Sequence, residues 1–507
     1  MSNNFAFPED LQDPVKLLED LKTEPDDYWI KRGEVRVLDL FHQMSQRVLA
    51  YKDFLKKNKV DPKKIKTIKD FKLIPFIDKE NYLRKYPLEM LCWDGVFDKK
   101  RWTIAATSGS SGEPFYFPRE KEQDLQYALT AELYLRSNFE IHKKSTLYID
   151  AWAMGVWIGG LFTYQAIKFL AERGDYNLSI VTTGIFKEEI LGVIKNLAPK
   201  FDQVLMGGYP PFIKDIIDDG LQSGLDWKKY NIKFIFSADG FSENFRDYIL
   251  AKTGLKNPYR DTLNHYGTAD LGTMAHETPL SILVRRLAIK HLQVYKIFFH
   301  EDRRLPTVAQ YMPELFYFEE IQTRLFCSAF SGIPLLRYDL KDNGGVLNLR
   351  EIKNNFNSLG FDLLNEVKSA KITDLTWNLP IVYVYERRDQ VVKLYGANIY
   401  PETIRKVIQN KEFEDLLTGK FTILVKTDKE QNQYLEINVE LKKGQSKNNQ
   451  VEEQLKSMTV KKLLEENSEY QSNYKESPDR QIPNVVLWNY EDPLYFKPGI
   501  KQRWVRK

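Results

Sequence analysis

From Thr107 to Pro114 the chain reads TSGSSGEP, directly after the run WTIAA. Glycine lets a backbone come close to an anion, and Ser and Thr hydroxyls donate hydrogen bonds, so the stretch has the chemistry to hold an oligophosphate. A surface loop of the same composition is the plainer alternative. It is not a Walker A loop, because no Gly-Lys-Ser/Thr follows Gly112. Nor is GSSGE the Gly-x-Ser-x-Gly turn of a hydrolase, and no acid–histidine pair is placed by the sequence. The histidines at 42, 142, 265, 276, 291 and 300 lack a metal-ligand spacing, which argues against a zinc hydrolase. Near the C-terminus, Lys497, Lys501, Arg503, Arg506 and Lys507 form a basic group that by charge alone reads as a solvated tail.

Around these residues the apolar pattern outlines the supporting elements. Val37, Leu40, Phe41, Met44 and Val48 recur at helical steps, and the first hundred residues read as mainly helical. LYID (147–150), LSIV (178–181), QVLM (203–206) and KFIF (233–236) then alternate with amphipathic helices: one through Leu170, EEILGVIKNL, PFIKDIID, and one opened by Ser242. That rhythm predicts successive βαβ units and a parallel sheet with helices on its faces, an α/β fold. Ligands gather at the C-terminal ends of such strands. Trp152 and Trp157 in AWAMGVWIGGLFTY, with Tyr209 after Gly207-Gly208, therefore read as walls of a pocket for an aromatic or hydrophobic group, although aromatic stripes more often pack a core. Near residue 385 the runs shorten: PIVYVY, VVKLY, a helix from Pro401, then FTILVK and YLEINVEL as an antiparallel pair. KKGQSKNNQ and ENSEYQSNYKESPDRQ read as exposed connections. The expected division is 1–385 and a small α+β domain at 386–507.

Composition narrows the classes. The 507 residues are 43% hydrophobic and 28% charged, enough to bury a large interior and unlike a disordered chain. A net charge of +4 offers no global field for nucleic acid, and none is expected as a partner. Cys92 and Cys327 are too few for a disulfide framework. With a polar, acidic N-terminus and no long apolar run, the chain reads as cytoplasmic with no membrane insertion.

The ordered set TSGSSGEP, SADGF (237–241), HYGTAD (265–270), RYDLKD (337–342), ERRDQVVKLYG (386–396) and KPGIKQRW (497–504) resembles the adenylate-forming superfamily of acyl- and aryl-CoA ligases, and within it the phenylacetate-CoA ligase-like branch. The likeness covers about residues 100–507. It implies a large nucleotide- and acid-binding domain with a small mobile lid, and ATP, magnesium and coenzyme A as cofactors. Thr107, Ser108, Gly109, Ser110, Ser111 and Gly112 would hold phosphates, and Ala238, Asp239 and Gly240 would meet adenine. Tyr266, with Gly267 and Thr268, would offer a stacking face, and Asp342 would accept the ribose hydroxyls. Arg387 would add a cation, Asp389 would be the hinge, and Gly396 would lie near the thiol. Asp270 stands where the family usually carries a magnesium-binding glutamate; Glu277 is the candidate to share or take over that task. Lys501 is the implied catalytic lysine and Lys497 its competitor. The family has glycine where this chain has Glu386. The implied reaction converts a carboxylic acid to an acyl-adenylate with release of pyrophosphate, then to a coenzyme A thioester. Transfer to an amine, hydroxyl or carrier protein, adenylylation of a hydroxyl, and a non-catalytic nucleotide-binding regulator are the alternatives; a homodimer is compatible with all of them.

Overall fold

The apolar stripe at 37–44 lies on the helix Asp26–Arg47, where Trp29, Gly33, Val37, Leu40, Phe41 and Met44 are buried. Acidic Asp26 and Asp27 open the helix and basic Arg47 closes it, matching the helix dipole at both ends. Val48 leaves the helix to bridge Trp93. The computed structural model describes residues 8, 11–106, 115–156, 158–238, 240–299, 305–385, 392–394, 397–427, 433–467, 470–471, 474–475, 478–497 and 504–505. The chain divides into two units. The first comprises Met1–Gly208, Lys228–Gly240 and Gly254–Tyr385; the second comprises Tyr209–Trp227, Phe241–Thr253 and Glu386–Lys507.

In the first unit, β1 (Thr103–Ala106) and β2 (Tyr116–Arg119) form an antiparallel pair. The remaining strands form one eleven-stranded sheet: β3 (Thr146–Ala151), β4 (Leu178–Val181), β5 (Gln203–Gly208), β6 (Ile232–Ser237), β7 (Thr262–Thr268), β8 (Gly272–His276), β9 (Thr307–Gln310), β10 (Phe316–Ile321), β11 (Arg324–Ala329), β12 (Leu335–Leu347) and β13 (Ile381–Tyr385). Their order is β10-β11-β12-β13-β9-β8-β7-β6-β5-β3-β4. From β4 to β7 every pairing is parallel, as the βαβ rhythm predicts. From β7 onward the pairings are antiparallel. PIVYVY, at the end of the expected large domain, supplies β13, an interior strand of this sheet, buried along its whole length. Its short apolar run is that of a strand covered on both faces.

The antiparallel half curls. Phe318 on β10 stacks against Tyr266 on β7 with ring centroids 6.2 Å apart, although six strand steps separate them in the sheet. At about 4.8 Å per step a flat sheet would hold them roughly 29 Å apart. β12 accommodates the bend with irregular register against β11 and with positive φ at Arg337 (49°) and Lys341 (60°), a conformation that costs about 1–3 kcal/mol for residues with a Cβ.

The second unit contains β14 (Val392–Leu394), β15 (Ala397–Ile399), β16 (Leu417–Thr427), β17 (Gln433–Leu441) and β18 (Asn484–Trp488). FTILVK and YLEINVEL pair antiparallel as β16 and β17, and β18 adds in parallel. Ile404, Phe421, Ile437, Leu455, Leu487 and Trp504 are among its core. Tyr470 is also fully buried there and donates to the Gln481 carbonyl at 2.6 Å, a correction to the reading of 466–481 as exposed connection. In this unit buried Lys214 and Lys442 and partly buried Lys420 meet the buried acids Asp215, Asp218 and Glu440. Lys420 pairs with Asp215 and with Glu440 at 3.1 Å, Lys214 with Asp218 at 2.8 Å, and Lys442 with Asp218 at 3.3 Å.

Two stability predictions follow from packing. A Cβ at Gly33 would meet the Cβ, oxygen and carbonyl carbon of Pro313 at 2.5–2.8 Å, so Gly33→Ala should destabilise the first unit by about 1–3 kcal/mol in urea unfolding. Lys420→Met would leave Asp215 and Glu440 facing each other without their shared cation. Its expected loss is about 3–5 kcal/mol, confined to the transition that reports the second unit, and an unchanged midpoint would refute this account of the buried charges.

Candidate functional site

Because β3, β5, β6 and β7 run parallel, their C-terminal ends share one edge of the sheet. Trp152 follows β3, Ala238 and Gly240 follow β6, and Tyr266, Gly267 and Thr268 end β7. Ala238 takes φ 74°, a left-handed conformation seldom adopted by alanine, in the turn leaving β6. At Gly267 the register of β7 against β8 shifts, and a Cβ there would lie 2.5 Å from the Gly272 oxygen, so only glycine fits. The Thr268 hydroxyl accepts the Leu271 N–H at 3.2 Å and closes the turn that presents Asp270.

Two aspartates converge on this edge, each on a tyrosine from the other strand. The Tyr266 hydroxyl donates to Asp342 Oδ2 at 2.8 Å, joining β7 to β12. In return, the Tyr338 hydroxyl on β12 donates to Asp270 Oδ2 at 2.6 Å. Both acids are buried, at 6% exposure each. Tyr266 is itself 9% exposed and packs beside Phe318, so most of its ring is already covered. A third group reaches Asp270 from the N-terminal layer: Lys79 Nζ lies 3.3 Å from Oδ1. Sequence reading missed Lys79, which sits in FIDKENYL outside every quoted motif. Tyr338 was in view within RYDLKD but was not singled out.

The magnesium reading meets this geometry directly. Asp270 is engaged at both oxygens by protein donors. Glu277 follows β8, at the opposite end of that five-residue strand, which puts it roughly 17 Å from Asp270. Glu277 is 1% exposed, with Arg285 Nη1 at 4.0 Å, and does not join Asp270 in one site; this corrects the expectation that the two share a metal. Among the described residues no cluster of three or more His, Cys, Asp or Glu side chains is placed to hold a metal ion. The residues present do not fit a protein-held magnesium.

Trp152 is 3% exposed and its indole hydrogen-bonds the Tyr148 hydroxyl, so it packs into the wall behind the strand ends. Tyr209 caps the helix Pro210–Gln222 in the second unit. Asp150, a missed residue, lies next to the end of β3 with no exposure, and its Oδ2 has no hydrogen-bond partner among the described residues. Burial pushes its carboxyl up to about 8. The signal was legible as the one acid in the run LYID. His265 and His276 face each other across β7 and β8, with the Tyr134 ring 5.3 Å and 4.8 Å from them. Burial pushes them down to about 3 and about 4, so both are neutral structural groups at ordinary pH. Thr107, Ser108, Gly109, Ser110, Ser111, Gly112, Trp157, Asp239, Arg387, Asp389, Gly396 and Lys501 lie outside the described residues; Lys497 is described and exposed.

This arrangement of sheet and curl is the fold of adenylate-forming enzymes. A crystal structure of 2-hydroxyisobutyryl-CoA ligase in the postadenylation state with R3-HIB-AMP matches over 96% of this chain and 91% of that one, with a TM-score of 0.68 and 13% identity. The same ligase with 2-HIB-AMP in the postadenylation state matches at 0.67 and 14%, over 96% and 91%. With 2-HIB-AMP and CoA in the thioesterification state it matches at 0.54 and 14%, again over 96% and 91%. The sequence matches no protein-family model and no curated protein. Among the described residues no helix is long and apolar enough to cross a membrane.

The three buried titratable groups give stability an opposed pH dependence. Between about pH 4 and 6.5 the unfolded chain holds protons on both histidines that the folded chain lacks, so stability rises with pH. Asp150 acts in the other direction from about pH 4 to 8, because its folded form keeps a proton that the unfolded form, with an ordinary value near 3.9, has released. Two protons outweigh one below 6.5, and Asp150 alone acts above it. Stability should therefore decline by about 1.4 kcal/mol per pH unit from 6.5 to 8 through this group, and Asp150→Asn should remove the decline. Urea unfolding of both proteins from pH 5 to 9 checks this; a wild-type-to-variant difference independent of pH would contradict it.

Proposed function

We propose that the protein activates a carboxylic acid, aromatic or hydrophobic in character, with ATP and passes the acyl group to coenzyme A. A carboxylate is a poor acyl donor because its oxygen would have to leave as oxide. In the first half-reaction that oxygen attacks the α-phosphorus, the bond to the bridging oxygen breaks, and pyrophosphate leaves. In the second, a thiolate sulfur attacks the acyl carbon, the bond to the phosphate oxygen breaks, and AMP departs. The observation that carries the reading is the Tyr266–Asp342 hydrogen bond of 2.8 Å. It joins HYGTAD and RYDLKD, two members of the ordered motif set, at the strand ends where open α/β sheets bind ligands.

In this reading Thr107, Ser108, Gly109, Ser110, Ser111 and Gly112 hold the phosphates. Ala238, Asp239, Gly240, Tyr266, Gly267, Thr268, Asp342 and Arg387 hold the nucleoside. Trp152, Trp157 and Tyr209 border the acid. Strand spacing supports that division, since β3 stands three steps from β7, about 14 Å away. Lys501 stabilises the charge that develops as the acid attacks. Residues 386–507 act as a lid that turns about Asp389, exchanging the ion pairs that Lys420 and Lys442 make with Asp215 and Asp218, withdrawing Lys501 and bringing Gly396 to the thiol.

Lys501→Ala should abolish acid-dependent pyrophosphate release, a loss of about 100-fold or more, yet still convert preformed acyl-adenylate to thioester. Survival of both half-reactions would remove Lys501 from the mechanism and leave Lys497 as the candidate. Adding coenzyme A to enzyme stalled with its adenylate should release AMP; an adenylate that persists would assign the acyl group to another acceptor.

A further inference from the structure

The misfit at Asp270 points to a different source of positive charge. Magnesium binds carboxylate oxygen at about 2.0–2.1 Å, so an ion on Asp270 Oδ1 would lie within about 5.5 Å of the Lys79 ammonium. The two like charges would compete for one carboxylate whose other oxygen already holds the Tyr338 hydroxyl. Lys79 is also fixed in place. On one side of it, Ile77 donates to the Arg337 carbonyl at 3.2 Å and accepts the Asp339 N–H at 2.9 Å, pairing with β12. Next to it, Asp78 receives the N–H groups of Glu80 and Asn81 and holds Lys341 Nζ at 2.6 Å. Lys341 immediately precedes Asp342. The segment that carries Lys79 is thus stitched to the strand that carries the nucleoside acid. The Lys79 side chain is 26% exposed, and Asp270 engages one of the three donors of its ammonium.

We infer that Lys79 supplies, from within the chain, the charge that an Asp270-bound magnesium would place at this turn, and that its ammonium binds the phosphates of a nucleoside triphosphate. Asp270 is then a positioning residue for Lys79, not a metal ligand. The inference rests on the nucleotide reading above. Tyr338, whose hydroxyl holds Asp270, and Asp342 stand four residues apart on β12, no more than roughly 13 Å, so the strand that carries the ribose acid also braces the carboxylate that holds the cation.

The test is calorimetric titration of the full chain with the non-cleavable analogue adenosine 5′-(α,β-methylene)triphosphate, and separately with AMP, each in magnesium and in EDTA. Wild type should bind the triphosphate in EDTA within about threefold of its affinity in magnesium. Lys79→Met should weaken the triphosphate by about tenfold or more under both conditions while leaving AMP within about twofold, and Lys79→Arg should restore most of the loss. Asp270→Asn should keep the wild-type ratio of magnesium to EDTA affinities. The inference is overturned if EDTA weakens the wild type by more than about tenfold and Asp270→Asn abolishes that effect, or if Lys79→Met binds the triphosphate as the wild type does. A wild-type chain that binds neither the triphosphate nor AMP would refute the nucleotide reading and this inference with it, whereas AMP binding together with an Asp270-dependent magnesium effect would refute this inference alone.

Discussion

Two buried carboxylates, Asp270 and Asp342, each meet a tyrosine hydroxyl from the opposite strand, and this reciprocal bracing fixes where β7 and β12 approach. Neighbouring order in the sheet would not bring those strands together, since β13, β9 and β8 lie between them. The antiparallel half must curl, and the irregular register and positive φ angles of β12 are the local form of that curl. Leaving either acid buried without its partner would cost about 1–3 kcal/mol or more, so the pairs favour the curled arrangement over a flat one. The site and the shape of the sheet are therefore set by the same bonds.

Buried charge is handled in two ways in this chain. Among the described residues no cation pairs with Asp150, and desolvation pushes its carboxyl up to about 8. In the second unit the solution is pairing: Lys214, Lys420 and Lys442 balance Asp215, Asp218 and Glu440 in number. Such a network adds little net stability over an apolar core of the same volume, but it penalises any packing that separates the partners. It therefore specifies how the helix Pro210–Gln222 meets β16 and β17 more than it strengthens the unit.

The parallel strands were legible in sequence because each apolar run, from LYID to KFIF, is followed by a helical stretch, and three of the four lie in the sheet interior while LSIV forms its edge. The structure extends LYID, QVLM and KFIF by two residues each and LSIV by none. The antiparallel half was not legible to the same degree. PIVYVY gives no sign of its partners β12 and β9, because antiparallel pairing over long sequence separations leaves no local pattern. Site residues divided along the same line. Tyr266 and Asp342 stand in motifs far apart in sequence, and their pairing follows from the curl. Glu277 was misassigned because a spacing of seven residues says nothing until the intervening segment is known to be an extended strand. Lys79 carries no periodic or compositional signal at all, since a lone lysine in a polar turn is the commonest of surface residues.

Lys79 also gives the N-terminal helical layer a task beyond covering the sheet. A lysine on a free loop would be held near Asp270 only weakly, since exposed ion pairs contribute roughly 0–1 kcal/mol and must offset the entropy of a long side chain. Here the loop is already ordered by the backbone pairing of Ile77 with β12 and by the Asp78–Lys341 pair, so most of that entropy is lost when the layer folds. The layer is anchored in turn by Trp93, Phe41 and Leu40 in the main core and by Arg32, which reaches Glu314 in a two-pronged pair with one limb at 2.9 Å. Packing far from the strand ends thereby fixes a cation at them, and the precision of the site is inherited from the rigidity of a region that supplies it with only one side chain.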